Sequence, residues 1–167
     1  MRLNLESLNP TPLMSPSSQL LPREFAARAV ARVLLVDDEP HVLAVGKAVL
    51  EAHGFEATAV RTGEEALELV RTGIAEDNRY SVAILDLTMP GSASGFEVLE
   101  WLRGCDPRLP IIACSGYFQE DVKDLCQAIG FADVLAKPFN LENLCLAVRR
   151  AMMQESDAST LQPGVAS

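Results

Sequence analysis

Five short apolar runs recur along the chain, and each is followed by a segment whose apolar residues repeat at helical spacing. The runs are RVLLV (32–36), EATAV (56–60), VAILD (82–86), IIACS (111–115) and DVLAK (133–137). The first, third and fourth lack polar alternation, which suits strands covered on both faces. Parallel strands need long crossovers, usually helical, so the alternation predicts a doubly wound α/β domain with a five-stranded parallel sheet.

The intervening segments carry helix signals. In EPHVLAVGKAVLEAHG, Val42, Val45, Val49 and Leu50 are expected to share the buried face, with Gly54 as C-cap. In TGEEALELVRTG, Thr62 is a candidate N-cap, Glu65 completes a capping box, and Gly73 is a stop. GFEVLEWLRGC, EDVKDLCQAIG and NLENLCLAVRRAMM continue the pattern, and Ala147, Arg149 and Arg150 suit the end of a last, surface helix.

The organisation expected is a flexible arm over residues 1–29, one domain over 30–153, and a disordered tail over 154–167. The arm contains Pro10, Pro12, Pro16 and Pro22 without sustained periodicity, and the tail is small, polar and Pro/Gly-punctuated. A formal net charge of −9 argues against nucleic acid as the main partner. No apolar run approaches a membrane span, and no h-region precedes a cleavage site. Cys105, Cys114, Cys126 and Cys145 are far apart and lack metal-ligand spacing, so reduced thiols in a cytoplasmic protein are expected.

In doubly wound sheets ligands bind beyond the carboxyl ends of the strands. Asp37 and Asp38 end the first run, Asp86 the third, Ser115 the fourth and Lys137 the fifth, followed by Pro138. Two carboxylates about 4 Å apart repel by roughly 4 kcal/mol at an effective dielectric near 20. Three together call for a cation, and Mg²⁺ suits oxygen ligands. With Lys137 and Ser115 to hold a phosphoryl group, the set fits phosphoryl transfer to a carboxylate nucleophile, Asp86. Each residue also has a plainer reading. Asp37 and Asp38 could cap the next helix, Ser115 could be a turn residue, and Lys137 could be solvated.

VLLVDDEP, ILDLTMPG, ACSGY and LAKPF, in that order, resemble the receiver domain of bacterial two-component response regulators over roughly residues 31–153. Their phrasing is most similar to receivers of hybrid histidine kinases. The resemblance implies a flavodoxin-like (βα)5 fold with strand order 2-1-3-4-5. It also implies that Asp86 is the phosphoacceptor, that Asp38 binds Mg²⁺ directly and Asp37 largely through water, and that the Thr88 carbonyl completes the protein ligands. Ser115 matches the switch hydroxyl, and Lys137 the family's lysine, commonly followed by a cis proline.

Two departures stand out. Val134 occupies the place of the family's aromatic switch residue, and in MPGSASGFE the glycine at 95 comes one residue later than usual. The function expected is a single-domain response regulator, phosphorylated by a histidine kinase or phosphotransfer protein. It would not be an enzyme with an external substrate. Its output would be contact with an unknown protein target, without nucleic acid or membrane, as a monomer or phosphorylation-dependent dimer. On this expectation the short stretch after Met153 would leave no room for a DNA-binding output. Alternatives are a phosphate sink or relay station, a degenerate receiver that binds partners without phosphorylation, and a haloacid dehalogenase-type phosphatase. The last normally carries D-x-D on its first strand, where this chain has adjacent acids.

Overall fold

The computed structural model describes residues 30–90, 93–116 and 120–160. The 1–29 arm and the last seven residues lie outside the described residues. In chain order the elements are β1 (Arg32–Val36), α1 (Pro40–Ala52), β2 (Glu56–Val60), α2 (Gly63–Ala75), β3 (Val82–Asp86), α3 (Gly95–Cys105), β4 (Ile111–Ser115), α4 (Glu120–Ile129), β5 (Asp133–Ala136) and α5 (Leu141–Thr160). The strands form one parallel sheet in the order β2-β1-β3-β4-β5. The expected doubly wound, flavodoxin-like architecture and strand order are both present.

The period-two alternation of a strand sends neighbouring side chains to opposite faces. Val33, Leu35, Val82, Ile84, Ile112, Cys114 and Leu135 therefore pack with α1 and α5 residues such as Leu43, Leu50, Leu144 and Val148. Leu34, Val36, Ala83, Leu85, Ile111 and Ala113 pack the other way, against Ala66, Val70, Val98, Leu102 and Cys126 of α2, α3 and α4. β1, β3 and β4 are buried almost throughout, which is why they read as continuous apolar runs. The Glu56 end of edge strand β2 is exposed.

Three local expectations are corrected. The buried face of α1 is Leu43, Gly46, Val49 and Leu50, while Val45 is 59% exposed. Gly46 shifts the face because its lack of a side chain lets Leu35 approach, so that a Cβ would stand 2.7 Å from the Leu35 Cδ2. Gly73 does not stop α2, which continues to Ala75; a Cβ there would lie 2.7 Å from the Asn78 carbonyl oxygen. That glycine serves close packing of the following turn. Helix α5 runs to Thr160 rather than ending near Met153. No glycine or proline interrupts it before Pro163, and propagation costs far less than nucleation. Nor is α5 a surface helix only, since Leu144, Ala147, Val148 and Ala151 are fully buried.

The caps also sort themselves. Gly54 follows α1 with φ +84°, a conformation glycine adopts freely. Thr62 caps α2 by accepting from the Glu65 N–H, but the Glu65 carboxylate accepts from Arg61, one residue before the cap. The reciprocal capping box lies instead on α3, between Ser94 and Glu97.

Candidate functional site

Strand register brings the chemistry together. Val36 pairs with Leu85, Asp86 with Cys114 and Ser115 with Ala136, so the residues after these pairs reach the same sheet edge. The ladder continues past the strand ends, with the Leu87 N–H donating to the Cys114 carbonyl and the Lys137 N–H to the Ser115 carbonyl. Extending the alternation, Asp37, Asp86 and Lys137 fall on the face covered by α1 and α5. Ser115 and Val134 fall on the opposite face.

The side chains close on one another. Lys137 Nζ lies 2.6 Å from Asp37 Oδ2, 2.9 Å from Asp86 Oδ2 and 3.6 Å from Glu39 Oε1. Asp86 is 2% exposed, and its other oxygen, Oδ1, accepts the Thr88 N–H at 2.9 Å. Asp37 Oδ1 accepts the Glu39 N–H at 2.9 Å. Both carboxylate oxygens of Asp86 thus have donors, and one donor is a cation, so a buried strand can end on a charge.

Burial pushes the Asp37 carboxyl above the usual range, and the neighbouring Asp86 charge adds to this, despite the hydrogen bond from Lys137. For Lys137 burial works toward a lower value, but the hydrogen bonds and charges of Asp37 and Asp86 outweigh it and hold the ammonium firmly protonated. Burial also pushes the Cys114 thiol up to about 12, so this cysteine behind the site is inert packing.

One carboxylate oxygen from each of Asp37, Asp38 and Asp86 lies within 4.8 Å of the others. These hard oxygen donors with surplus negative charge suit a divalent cation of the magnesium type. Arg61 fixes the Asp38 backbone, donating from Nε and Nη2 to its carbonyl at 3.3 and 3.2 Å. A cleft opens beside the acids, lined by Glu39, His41, Val45, Thr88, Lys137 and Phe139 among others.

Every residue singled out at a strand end lies at this edge. Ser115 closes β4 and is 6% exposed. Thr88 lines the cleft, and the Lys137–Pro138 bond is cis. Sequence reasoning missed Glu39, whose reach to Lys137 depends on how α1 starts, and Arg61, which arrives from β2. The late glycine finds an explanation as well. A Cβ on Gly95 would stand 2.7 Å from the Leu87 Cα and 2.9 Å from the Asp86 carbonyl, so α3 begins hard against the end of β3. Tyr117 and Phe118, which follow Ser115 and are expected from the sequence to anchor the loop or to contact a partner, lie outside the described residues, as do Gly91 and Ser92 in the loop that is one residue longer than usual.

The chain belongs to the response regulator receiver domain family, whose sequence model matches residues 33–149. It is 34% identical over 122 residues to the uncharacterized transcriptional regulatory protein YkoG of Bacillus subtilis, covering 73% of this chain and 51% of that protein. It is 30% identical over 128 residues to the regulatory protein AtoC of Escherichia coli, covering 77% of this chain and 26% of that one. Among solved structures, chemotaxis protein CheY4 of Vibrio cholerae superposes with a TM-score of 0.63 at 30% identity, covering 74% of this chain and 99% of that one. A receiver domain from Clostridium thermocellum gives 0.67 at 26% identity, covering 77% and 99%.

The chain thus spans about half of the first curated relative and about a quarter of the second. The acidic charge behind the expectation of no nucleic acid speaks for this segment alone, and relatives of which it spans about half are named as transcriptional regulatory proteins. Among the described residues no helix is long and apolar enough to cross a membrane.

Proposed function

We propose that this receiver accepts a phosphoryl group on Asp86 from a histidine kinase or a histidine phosphotransfer protein, in a Mg²⁺-dependent reaction. Asp37, Asp38, Asp86 and the Thr88 carbonyl would hold the ion, whose role when bound is to neutralise charge on the transferred group and the carboxylates around it. An Asp86 oxygen attacks phosphorus as the bond from phosphorus to the donor's imidazole nitrogen breaks. The electron pair returns to that nitrogen, and the imidazole leaves neutral, keeping the proton on its other nitrogen. Lys137 exchanges its contact with Asp86 for one with a phosphoryl oxygen, and Ser115 donates its hydroxyl hydrogen to another. Hydrolysis of the acyl phosphate resets the switch. The receiver's own output is a protein contact, with Val134 replacing an aromatic relay by shifts of the surrounding loops and helices.

The observation that carries this reading is the Lys137 ammonium bridging Asp37 and Asp86 beside three clustered carboxylates. Incubation with acetyl phosphate and Mg²⁺ should add one phosphoryl group by intact mass, and the adduct should be absent in Asp86→Asn and with EDTA. A wild-type protein that stays unmodified while binding a partner equally well would establish the phosphorylation-independent module instead. Turnover of many external phosphate esters would establish the phosphatase.

A further inference from the structure

We propose that Glu39 is a specificity-determining residue of the phosphoryl-accepting site, biasing it toward nitrogen-linked phosphoryl donors and against the more negatively charged acyl phosphates. This rests on the reading of Asp86 as the acceptor. Four carboxylates, those of Asp37, Asp38, Glu39 and Asp86, stand around the site. Among the described residues the three aspartates form the group able to share one cation, and Glu39 is outside it. Glu39 lines the cleft, its side chain is 63% exposed, and its carboxylate reaches Lys137 at 3.6 Å.

Among the described residues the Glu39 carboxylate has no ion-pair partner but Lys137. Glu39 is the N-cap residue of α1, yet its side chain makes no capping hydrogen bond. Lys137 is already held more closely by Asp37 and Asp86, and Arg61 is committed to the Asp38 carbonyl. The Glu39 charge at the mouth is therefore poorly balanced. An incoming phosphoryl donor meets it before reaching Asp86, and the repulsion grows with each negative charge the donor carries.

Two small donors isolate this effect. Acetyl phosphate arrives as a dianion; its bridging O–P bond breaks and the electron pair leaves on acetate. Phosphoramidate arrives as a net monoanion, with its nitrogen protonated; the N–P bond breaks, and the nitrogen leaves as ammonia with its three protons. A protonated phosphohistidine shares that offsetting positive charge on its leaving group.

The test is the ratio of rate constants for acetyl phosphate over phosphoramidate, measured at pH 7 and saturating Mg²⁺. Glu39→Gln should raise the ratio by about threefold or more, from removal of one unit charge several ångströms from the donor. Glu39→Asp, which keeps the charge, should stay near the wild-type ratio. In wild type, added salt should speed acetyl phosphate more than phosphoramidate by screening. That measurement stands even where the Gln variant folds poorly. An unchanged ratio in Glu39→Gln, an equal rise in Glu39→Asp, or salt acting alike on both donors in wild type would overturn the assignment. Failure of both donors to modify the wild type would instead remove the acceptor reading, and this one with it.

Discussion

Lys137 donates to Asp86 Oδ2 at 2.9 Å across a sequence separation of 51 residues. The contact forms because β4 lies between β3 and β5, and the alternation along β3 and β5 turns both side chains toward α1 and α5. With Asp37 at 2.6 Å the ammonium holds two buried acids together. The protein carries this charge arrangement as part of its fold, so site chemistry and stability are linked.

That link predicts a pH dependence. Asp37 is held above its ordinary value, chiefly by burial, so the folded state binds its proton more readily than the unfolded chain does. Stability from this group is fully present below the unfolded value, and it is lost as pH rises through the raised folded value. In EDTA, Asp37→Asn should be more stable than wild type at pH 7, because the amide removes a buried charge. The gap should narrow on acidification. Urea titrations at pH 7 and pH 4 check this; a variant less stable than wild type at neutral pH would show that the contact with Lys137 dominates.

The two glycines of α3 should respond oppositely to alanine. At Gly95 the new methyl meets backbone, the Leu87 Cα and Asp86 carbonyl, so Gly95→Ala should cost about 1–3 kcal/mol and slow phosphoryl acceptance by displacing the end of β3. At Gly104 a Cβ meets nothing within 4 Å. There the substitution should stabilise by about 0.5–1 kcal/mol through helix propensity. Thermal melts of the two variants supply the comparison.

A second ion pair secures α5. Arg150 Nε and Nη2 both donate to Asp133 Oδ2, at 2.9 and 2.8 Å, and the Asp133 side chain is only 6% exposed. Arg150→Met would leave that oxygen without its cation at the start of β5. The expected loss is about 2 kcal/mol, below the cost of a fully buried pair because the arginine is more than half exposed. The double variant with Asp133→Asn should recover part of the loss, as read from a double-mutant cycle in urea.

Thiol chemistry offers a probe that leaves the site intact. With its thiol pushed up to about 12, Cys114 is ionised in only about one molecule in ten thousand at pH 8, and it is 2% exposed. Cys105 is half-buried near the end of α3. Iodoacetamide at pH 8 should label Cys105 first and leave Cys114 unmodified until denaturant is added. Peptide mass mapping over time distinguishes the sites, and early labelling of Cys114 would contradict its placement.

Much of this was open to a reader of the sequence, for physical reasons that differ by residue. The β1, β3 and β4 runs announce themselves because a parallel strand covered on both faces has no polar positions. Asp37, Asp38, Asp86, Ser115 and Lys137 stand out because a polar residue ending such a run marks the sheet's carboxyl edge. What local pattern could not supply was the buried face of α1, where Gly46 and not Val45 meets the sheet. Nor could it supply the full reach of α5 or the partner of Arg150, a residue that reads as an ordinary end-of-helix charge.

The sequence by itself determined the order of strands and helices, their alternating apolar faces, and which residues stand at the strand ends. These follow from periodicity and steric preference acting over a few neighbouring residues. Only the tertiary structure decided that Lys137 touches Asp37 and Asp86, that Glu39 joins them at the mouth, and that α3 presses on the Asp86 carbonyl. Such contacts depend on strand register and on helices seated against the sheet, and neither is encoded within any single stretch of chain.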